Sequence, residues 1–211
     1  MWREEIVEKS WEVLLDLKGL GEFILIGGWA VYLWARKLKS RDIDVYLDQD
    51  SFYRLQGQLS QRGIPVRKNP RLRKFEAIIT GVDVDIYTPF LSRLVIPCAD
   101  VFRDRLFSVV EGFNVAIPEA LLLLKAQVAG ERWNSEKGLK DRVDIISLLA
   151  FVDVKAQAMN ALAEKYDGEG KLLDVVKRVL KESRREYGYL NLTFERDRPR
   201  LQRILGDLGA R

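Results

Sequence analysis

Two aspartates one residue apart, Asp42 and Asp44 in "SRDIDVYLD", stand in a run whose other members, Ile43, Val45 and Leu47, are those of a buried strand. A carboxylate is costly to bury without a partner. Alternate residues of a strand face the same side, so the two acids project together while the apolar residues face the core. Such a pair calls for a cation or for water. A second acidic alternation follows in "GVDVDIY", where Asp83 and Asp85 again share a face. Carboxylates gathered from neighbouring strands repel one another, and at least one pKa rises, unless divalent cations lie between them. Two magnesium ions about 3.5–4 Å apart, held by such acids, can clamp a nucleoside triphosphate and orient an attacking hydroxyl. Upstream, Gly27 and Gly28 interrupt "FILIGGWAVYLW" between a strand pattern and a helix pattern. Bare glycines there let the backbone approach a phosphate at a helix N-terminus, although the pair also answers to a purely steric need at a turn.

Other chemistries are closed by composition. The 211 residues include no histidine, which removes histidine-based triads and the usual zinc clusters, and the single cysteine, Cys98, cannot form an internal disulfide. Carboxylates with a hard metal ion, or lysine, tyrosine and serine chemistry, remain. The net charge of +4 is a mild basic excess that suits anionic substrates without demanding nucleic acid. No stretch approaches the roughly 18 apolar residues of a membrane span, and the charged start "MWREEIVEKS" lacks the apolar centre of a secretion signal. A cytoplasmic protein with no membrane partner is expected.

The elements that must position these residues follow from periodicity. Trp2, Ile6, Val7, Trp11, Leu14 and Leu15 predict a helix over 2–18. A short buried strand at 23–26, a Gly27-Gly28 turn, a helix from near Trp29, and the strand "DIDVYL" come next. Asp50-Ser51 is a candidate cap for a helix running to about 62. Strands "IPVRK", "FEAIIT" and "VDVDIYT" then appear, with Gly81 turning the chain between the last two, and a hairpin is expected around Glu111-Gly112. From Pro118 the pattern is helical, in four or five segments near 118–133, 137–152, 154–166, 169–187 and 193–208. This predicts an α+β chain: a mixed sheet flanked by helices over 1–117, then a helical domain over 118–211. Trp11, Trp29, Trp34 and Phe23 are expected in the core.

Three charged features leave alternatives open. Lys125, in "LLLLKAQV", is either a phosphate ligand or one half of an interdomain ion pair with one of the aspartates. Residues 62–74, "RGIPVRKNPRLRK", carry six basic groups and no acid. They could receive a phosphate-rich acceptor such as RNA, or form a solvated edge strand that charge guards against aggregation. Lys177, Arg178, Lys181, Arg184 and Arg185 read as a solvated helix face.

"IGGWAVYLW", "SRDIDVYLD" and "VDVDIYT" together resemble the nucleotidyltransferase superfamily typified by DNA polymerase beta. "PEALLLLKAQVAGERW" and "KGLKDRVDIISLL" further resemble the helical half of its minimal and abortive-infection-type branch, so the resemblance covers about residues 22 to 149. It implies a nucleotidyltransferase fold and transfer of a nucleoside monophosphate from an NTP such as ATP to a hydroxyl acceptor: an RNA end, a protein side chain or a small molecule. Two Mg2+ ions would be held by Asp42, Asp44 and Asp85 as catalytic and metal-binding residues, with Asp83 the alternative third acid. Asp85 is favoured because it sits deeper in its strand. Gly27, Gly28, Ser40 and Lys125 would contact the nucleotide. Arg132, Lys140, Asp141 and Asp144 also match the branch pattern, although such charges on amphipathic helices are usually structural. Trp29 stands where many relatives place a phosphate-contacting serine. Many relatives belong to toxin–antitoxin systems, which implies an antitoxin or other partner chain. The alternatives are a catalytically inactive nucleotide- or partner-binding protein of the same fold, and a basic nucleic-acid-binding protein whose acidic strands are incidental.

Overall fold

A computed structural model describes residues 3–209. The chain forms two compact units, one of residues up to Leu33 with Lys39–Ile117, the other of Trp34–Leu38 with the residues from Pro118 onward.

In the first unit, α1 spans Glu4–Leu20 and buries Val7, Ser10, Leu14 and Leu17, a helical stripe with three- and four-residue spacing. Ile6 and Leu15, expected in that stripe, are 43% and 46% exposed and lie off the buried face that Val7, Ser10, Leu14 and Leu17 define. Trp2, the first residue of the predicted stripe, lies outside the described residues. Ser10 is buried because its Oγ accepts the indole N–H of Trp29 at 2.8 Å. Trp29 also packs on Trp11 and Tyr32, with ring centroids at 5.1 and 5.5 Å. The tryptophan is therefore a core anchor, and burying a side chain of that size contributes about 1.5–3 kcal/mol. Phe23 is buried as well, whereas Trp11 and Trp34 are half-buried.

The sheet is built from β1 (Ile24–Ile26), β2 (Ile43–Tyr46), β3 (Arg67–Asn69), β4 (Lys74–Ile79), β5 (Val82–Tyr87), β6 (Phe107–Val110) and β7 (Phe113–Ala116), in the spatial order β3-β4-β5-β2-β1-β7-β6. β2 pairs in parallel with β5, and β1 with β7; the other pairs are antiparallel. The hairpins β4–β5 and β6–β7 turn through Thr80-Gly81 and Glu111-Gly112, all four residues with positive φ. That is the signature of the type I′ turn, whose twist matches that of the flanking strands. Helix α2 (Gly27–Ala35) follows β1 with no intervening residue. Helix α3 (Gln49–Gln61) is capped by Asp48, whose carboxylate accepts the Ser51 N–H at 2.7 Å. The cap thus lies two residues before the predicted Asp50, since the strand stops at Tyr46. A short helix α4 (Cys98–Arg103), not predicted, tucks Cys98 and Val101 into the core; burial pushes the Cys98 thiol up to about 12.

The second unit contains α5 (Pro118–Glu131), α6 (Glu136–Phe151), α7 (Ala156–Tyr166), α8 (Lys171–Glu182), α9 (Arg184–Gly188) and α10 (Phe194–Gly209). Pro118 occupies the first turn of α5, where its missing N–H costs nothing. Ser135 caps α6 by accepting the Gly138 N–H at 2.9 Å. The single helix predicted over 169–187 is two: Ser183 leaves the helical region, and Glu186 of α9 is held by Arg142 of α6 at 2.6 Å. No helix among the described residues is long and apolar enough to cross a membrane.

Candidate active site

Strand register places the acids. Asp44 of β2 lies directly opposite Asp85 of the parallel strand β5, Asp85 lies opposite Glu76 of β4, and Glu76 opposite Arg67 of β3. Directly opposed residues share a face, so Arg67, Glu76, Asp85 and Asp44 form one row across four strands, with Ile26 of β1 at its end. The neighbouring row, Lys68, Phe75, Ile86, Val45 and Leu25, faces the other way. The alternation of acids with Ile43, Val45 and Ile86 is thus the pleat of a sheet with one apolar and one acidic face. Asp83, on the acidic side of β5, is exposed and lies opposite Ile78, not opposite Asp44.

Gly27 closes the row. Its φ of +70° is the left-handed conformation that allows β1 to turn straight into α2, and a Cβ there would sit 2.1 Å from Oδ2 of Asp44. The site needs glycine twice, for the turn and for the Asp44 carboxylate lying against its Cα. Gly28, buried, is the second residue of the helix. Trp29 points into the core, so its ring takes no space from whatever lies at the helix N-terminus. Asp42 precedes β2, half-buried, with Arg41 Nε 3.3 Å from its Oδ1, and Ser40 is buried two residues earlier.

Glu76, which sequence reasoning had not singled out, enters here together with Lys74, the last cation of the basic run. Lys74 reaches Oδ2 of Asp85 at 2.6 Å and Oε1 of Glu76 at 3.1 Å. Burial works against its charge, but Asp85 and Glu76 outweigh it and hold the ammonium above its ordinary pKa of 10.5. The available signal was the alternation Lys74, Glu76 at the head of "KFEAII", hidden by the basic run before it. With Lys74 on Asp85 and Arg41 on Asp42, no three acidic, cysteine or histidine side chains among the described residues are gathered to hold a metal ion. The donor chemistry nevertheless fits a hard divalent ion: Asp44 and Asp85 are directly opposed on neighbouring strands, and the Asp44 carboxylate lies beside a glycine with no Cβ to intrude.

Lys125 belongs to a second charged group, inside the helical unit. Its ammonium lies 3.0 Å from Asp141 Oδ1 and 2.8 Å from Asp144 Oδ2. Asp141 also takes Arg132 at 2.7 Å, and Lys140 pairs with Asp144. Two ion pairs of Lys125 are thus with aspartates of α6 in its own unit. Burial alone would raise Asp141, but Lys125 and Arg132 prevail and hold its carboxyl below the usual range. Burial also lowers Lys140, against the opposing attraction of Asp144. On α8, Lys177 and Arg178 pair with Asp174 and Glu182 on the solvent side, as a solvated face would.

The mixed seven-stranded sheet with its flanking helices matches a nucleotidyltransferase-like fold. Solved structures agree. A nucleotidyltransferase-like protein from Paracoccidioides brasiliensis superposes with TM-score 0.53 at 15% identity, over 90% of this chain and 94% of that one. The crystal structure of ANT(2'')-Ia in complex with adenylyl-2''-tobramycin matches with TM-score 0.51 at 15% identity, over 79% of this chain and 99% of its own. A solution structure of the same antibiotic-resistance factor gives TM-score 0.50 at 17% identity, over 81% and 95%. No family model matches the sequence, and no curated protein does.

Proposed function

We propose that this protein is a metal-dependent nucleotidyltransferase, joining the α-phosphate of an NTP to a hydroxyl acceptor and releasing pyrophosphate. The observation that carries the reading is the register of Asp44 with Asp85 across parallel strands, with Gly27 against the Asp44 carboxylate at the start of α2. The likeness to a structure bearing an adenylylated antibiotic supports the same reaction class.

Asp42, Asp44 and Asp85 would hold two magnesium ions, which supply positive charge against the triphosphate and lower the pKa of a bound hydroxyl. The protein's own groups do the rest. The first N–H groups of α2, at Gly27 and Gly28, receive the phosphates, as free helix N-termini do. Ser40 is the further nucleotide ligand proposed from the sequence for this unit. An Asp85 carboxylate oxygen takes the acceptor's proton as the new O–Pα bond forms. The bond from Pα to the bridging oxygen of the leaving group breaks in line, and its electron pair departs with pyrophosphate. Lys74 must yield Asp85 for this step. A toxin–antitoxin setting, with a protein partner, is supported by the sequence resemblance.

The test is transfer of label from α-labelled triphosphates to total cellular RNA, protein and small molecules in the presence of magnesium. Label should appear in one fraction, pyrophosphate should be released, and Asp44→Asn should abolish both while leaving the fold intact by circular dichroism. Label transfer unchanged in Asp44→Asn would overturn the assignment. One observation favours a second reading, a binding protein of the same fold that does not turn nucleotide over: the grip of Lys74 on Asp85. Calorimetric binding of an NTP with magnesium, with no pyrophosphate released over hours, would establish it.

A further inference from the structure

The basic run at 62–74 is only partly absorbed by the acidic site. Arg62 pairs with Asp16, and Lys74 with Asp85 and Glu76. Arg67, Lys68, Arg71 and Arg73 are exposed, and no described carboxylate lies within ion-pairing distance of them. β3 is the edge of the sheet, and cations on an edge strand are commonly a guard against edge-to-edge pairing. That explanation accounts for Arg67 and Lys68. It does not account for the neighbours.

Lys68 lies directly opposite Phe75, and the Phe75 ring packs against Phe52 and Phe90 with centroids at 4.4 and 5.9 Å. Phe90 in turn lies parallel to Tyr53, 5° between their planes and 6.2 Å between centroids. Phe52 is 2% exposed and serves the core, yet Tyr53 is 55% and Phe90 47% exposed. Leu72, at the tip of the turn between β3 and β4, is 56% exposed, its N–H held by Asn69. Water thus meets two parallel rings, and on the adjoining hairpin a leucine and four cations in no described ion pair, with Lys68 on the aromatic side, Arg67 on the acidic side, and Arg71 and Arg73 at the turn. A guarded edge gains nothing from exposed rings. Flat rings beside such cations instead match unstacked bases beside phosphates.

We infer that the β3–β4 hairpin with Tyr53 and Phe90 binds single-stranded nucleic acid, bases on the rings and phosphates on Arg71, Arg73, Lys68 and Arg67. The two faces of this hairpin are joined in register: Lys68 opposes Phe75 on the aromatic side, while Arg67 heads the row that runs through Glu76 to Asp85 and Asp44. A strand held on the rings and led across the Arg71–Arg73 turn delivers its terminal hydroxyl towards Asp85. Only that last statement rests on the transferase reading, and it names the acceptor as the end of a single strand.

The experiment is fluorescence anisotropy with short fluorescein-labelled single-stranded RNA and DNA of mixed sequence, a duplex of the same sequence, and heparin as a competitor, all without nucleotide or metal. Single strands of one or both sugars should bind more tightly than the duplex. The double variant Tyr53→Ala, Phe90→Ala should weaken binding by about tenfold or more, as removal of base stacking does. Arg71→Ser with Arg73→Ser should reduce the slope of log affinity against log salt by roughly 0.7 for each phosphate that is no longer neutralised. All four side chains are exposed, so unfolding midpoints should stay close to the parent's. Equal binding of duplex and single strand, or affinity unchanged by removal of the rings, overturns the inference. Asp44→Asn separates the two proposals: it should keep the affinity for single strands even where transfer is abolished.

Discussion

At Gly27, conformation and chemistry meet on one atom. An alanine there would adopt φ +70° at a cost of about 1–2 kcal/mol, and its Cβ would fall 2.1 Å from the Asp44 carboxylate. That carboxylate is a side-chain end and can swing away, so the fold survives while the acid leaves its place beside Asp85. Gly27→Ala should therefore lower stability by only about 1–3 kcal/mol in chemical denaturation and yet reduce pyrophosphate release by orders of magnitude. Near-parental turnover would show that the Asp44 position is not critical. Lys125 calls for the opposite balance. Its side chain is 9% exposed, and its removal leaves Asp141 and Asp144 short of a buried cation. Lys125→Met should cost about 3–5 kcal/mol, as breaking a buried pair does, measured by the same denaturation. A decrease below about 1 kcal/mol, the range of an exposed pair, would mean that Arg132 and Lys140 suffice for the two acids.

The hairpins show how local chemistry fixes an element. Thr80 has φ 48° in the turn between β4 and β5, a conformation poorly suited to a β-branched residue and well suited to asparagine before glycine. Thr80→Asn should stabilise the protein by about 0.5–1 kcal/mol without altering transfer, since the turn lies at the far end of β5 from Asp85; a destabilised variant would show that Thr80 makes an interaction worth more than its strain. This turn was legible in the sequence because Gly81 separates two alternating runs, and the same holds for Glu111-Gly112. Helix α4 was not legible: six residues are too few to show periodicity, and it is the burial of Cys98 and Val101 that ties it to the core. Nor was the break at Ser183, because the amphipathic pattern runs on across it and the ion pair of Glu186 with Arg142 joins residues 44 positions apart.

For the molecule as a whole, the charged groups set how stability follows pH. Asp141 has a folded pKa below its ordinary 3.8. Its contribution is complete above that value and is lost as pH falls through the lower folded pKa. Lys74 acts at the other end: its folded pKa is raised, so its contribution is complete below about 10.5 and is lost as pH rises through the higher folded value. Denaturation midpoints should therefore fall as the solution is acidified below about pH 4, and Asp141→Asn should flatten that acid limb; an unchanged acid limb would assign the effect to other carboxylates. Lys74→Met should flatten the alkaline limb.

The candidate acids could be read from the sequence because a period of two in "DIDVYL" and "VDVDIY" forces a face, whichever strands they join. Composition alone likewise left carboxylates and a hard metal as the chief chemistry open to a chain without histidine. What the sequence could not contain was register. That Asp85 rather than Asp83 meets Asp44, that Glu76 extends the row, that Lys74 grips Asp85 and that Lys125 is claimed by α6 are all pairings between distant residues, and only the closing of the sheet and the packing of the helices determine them.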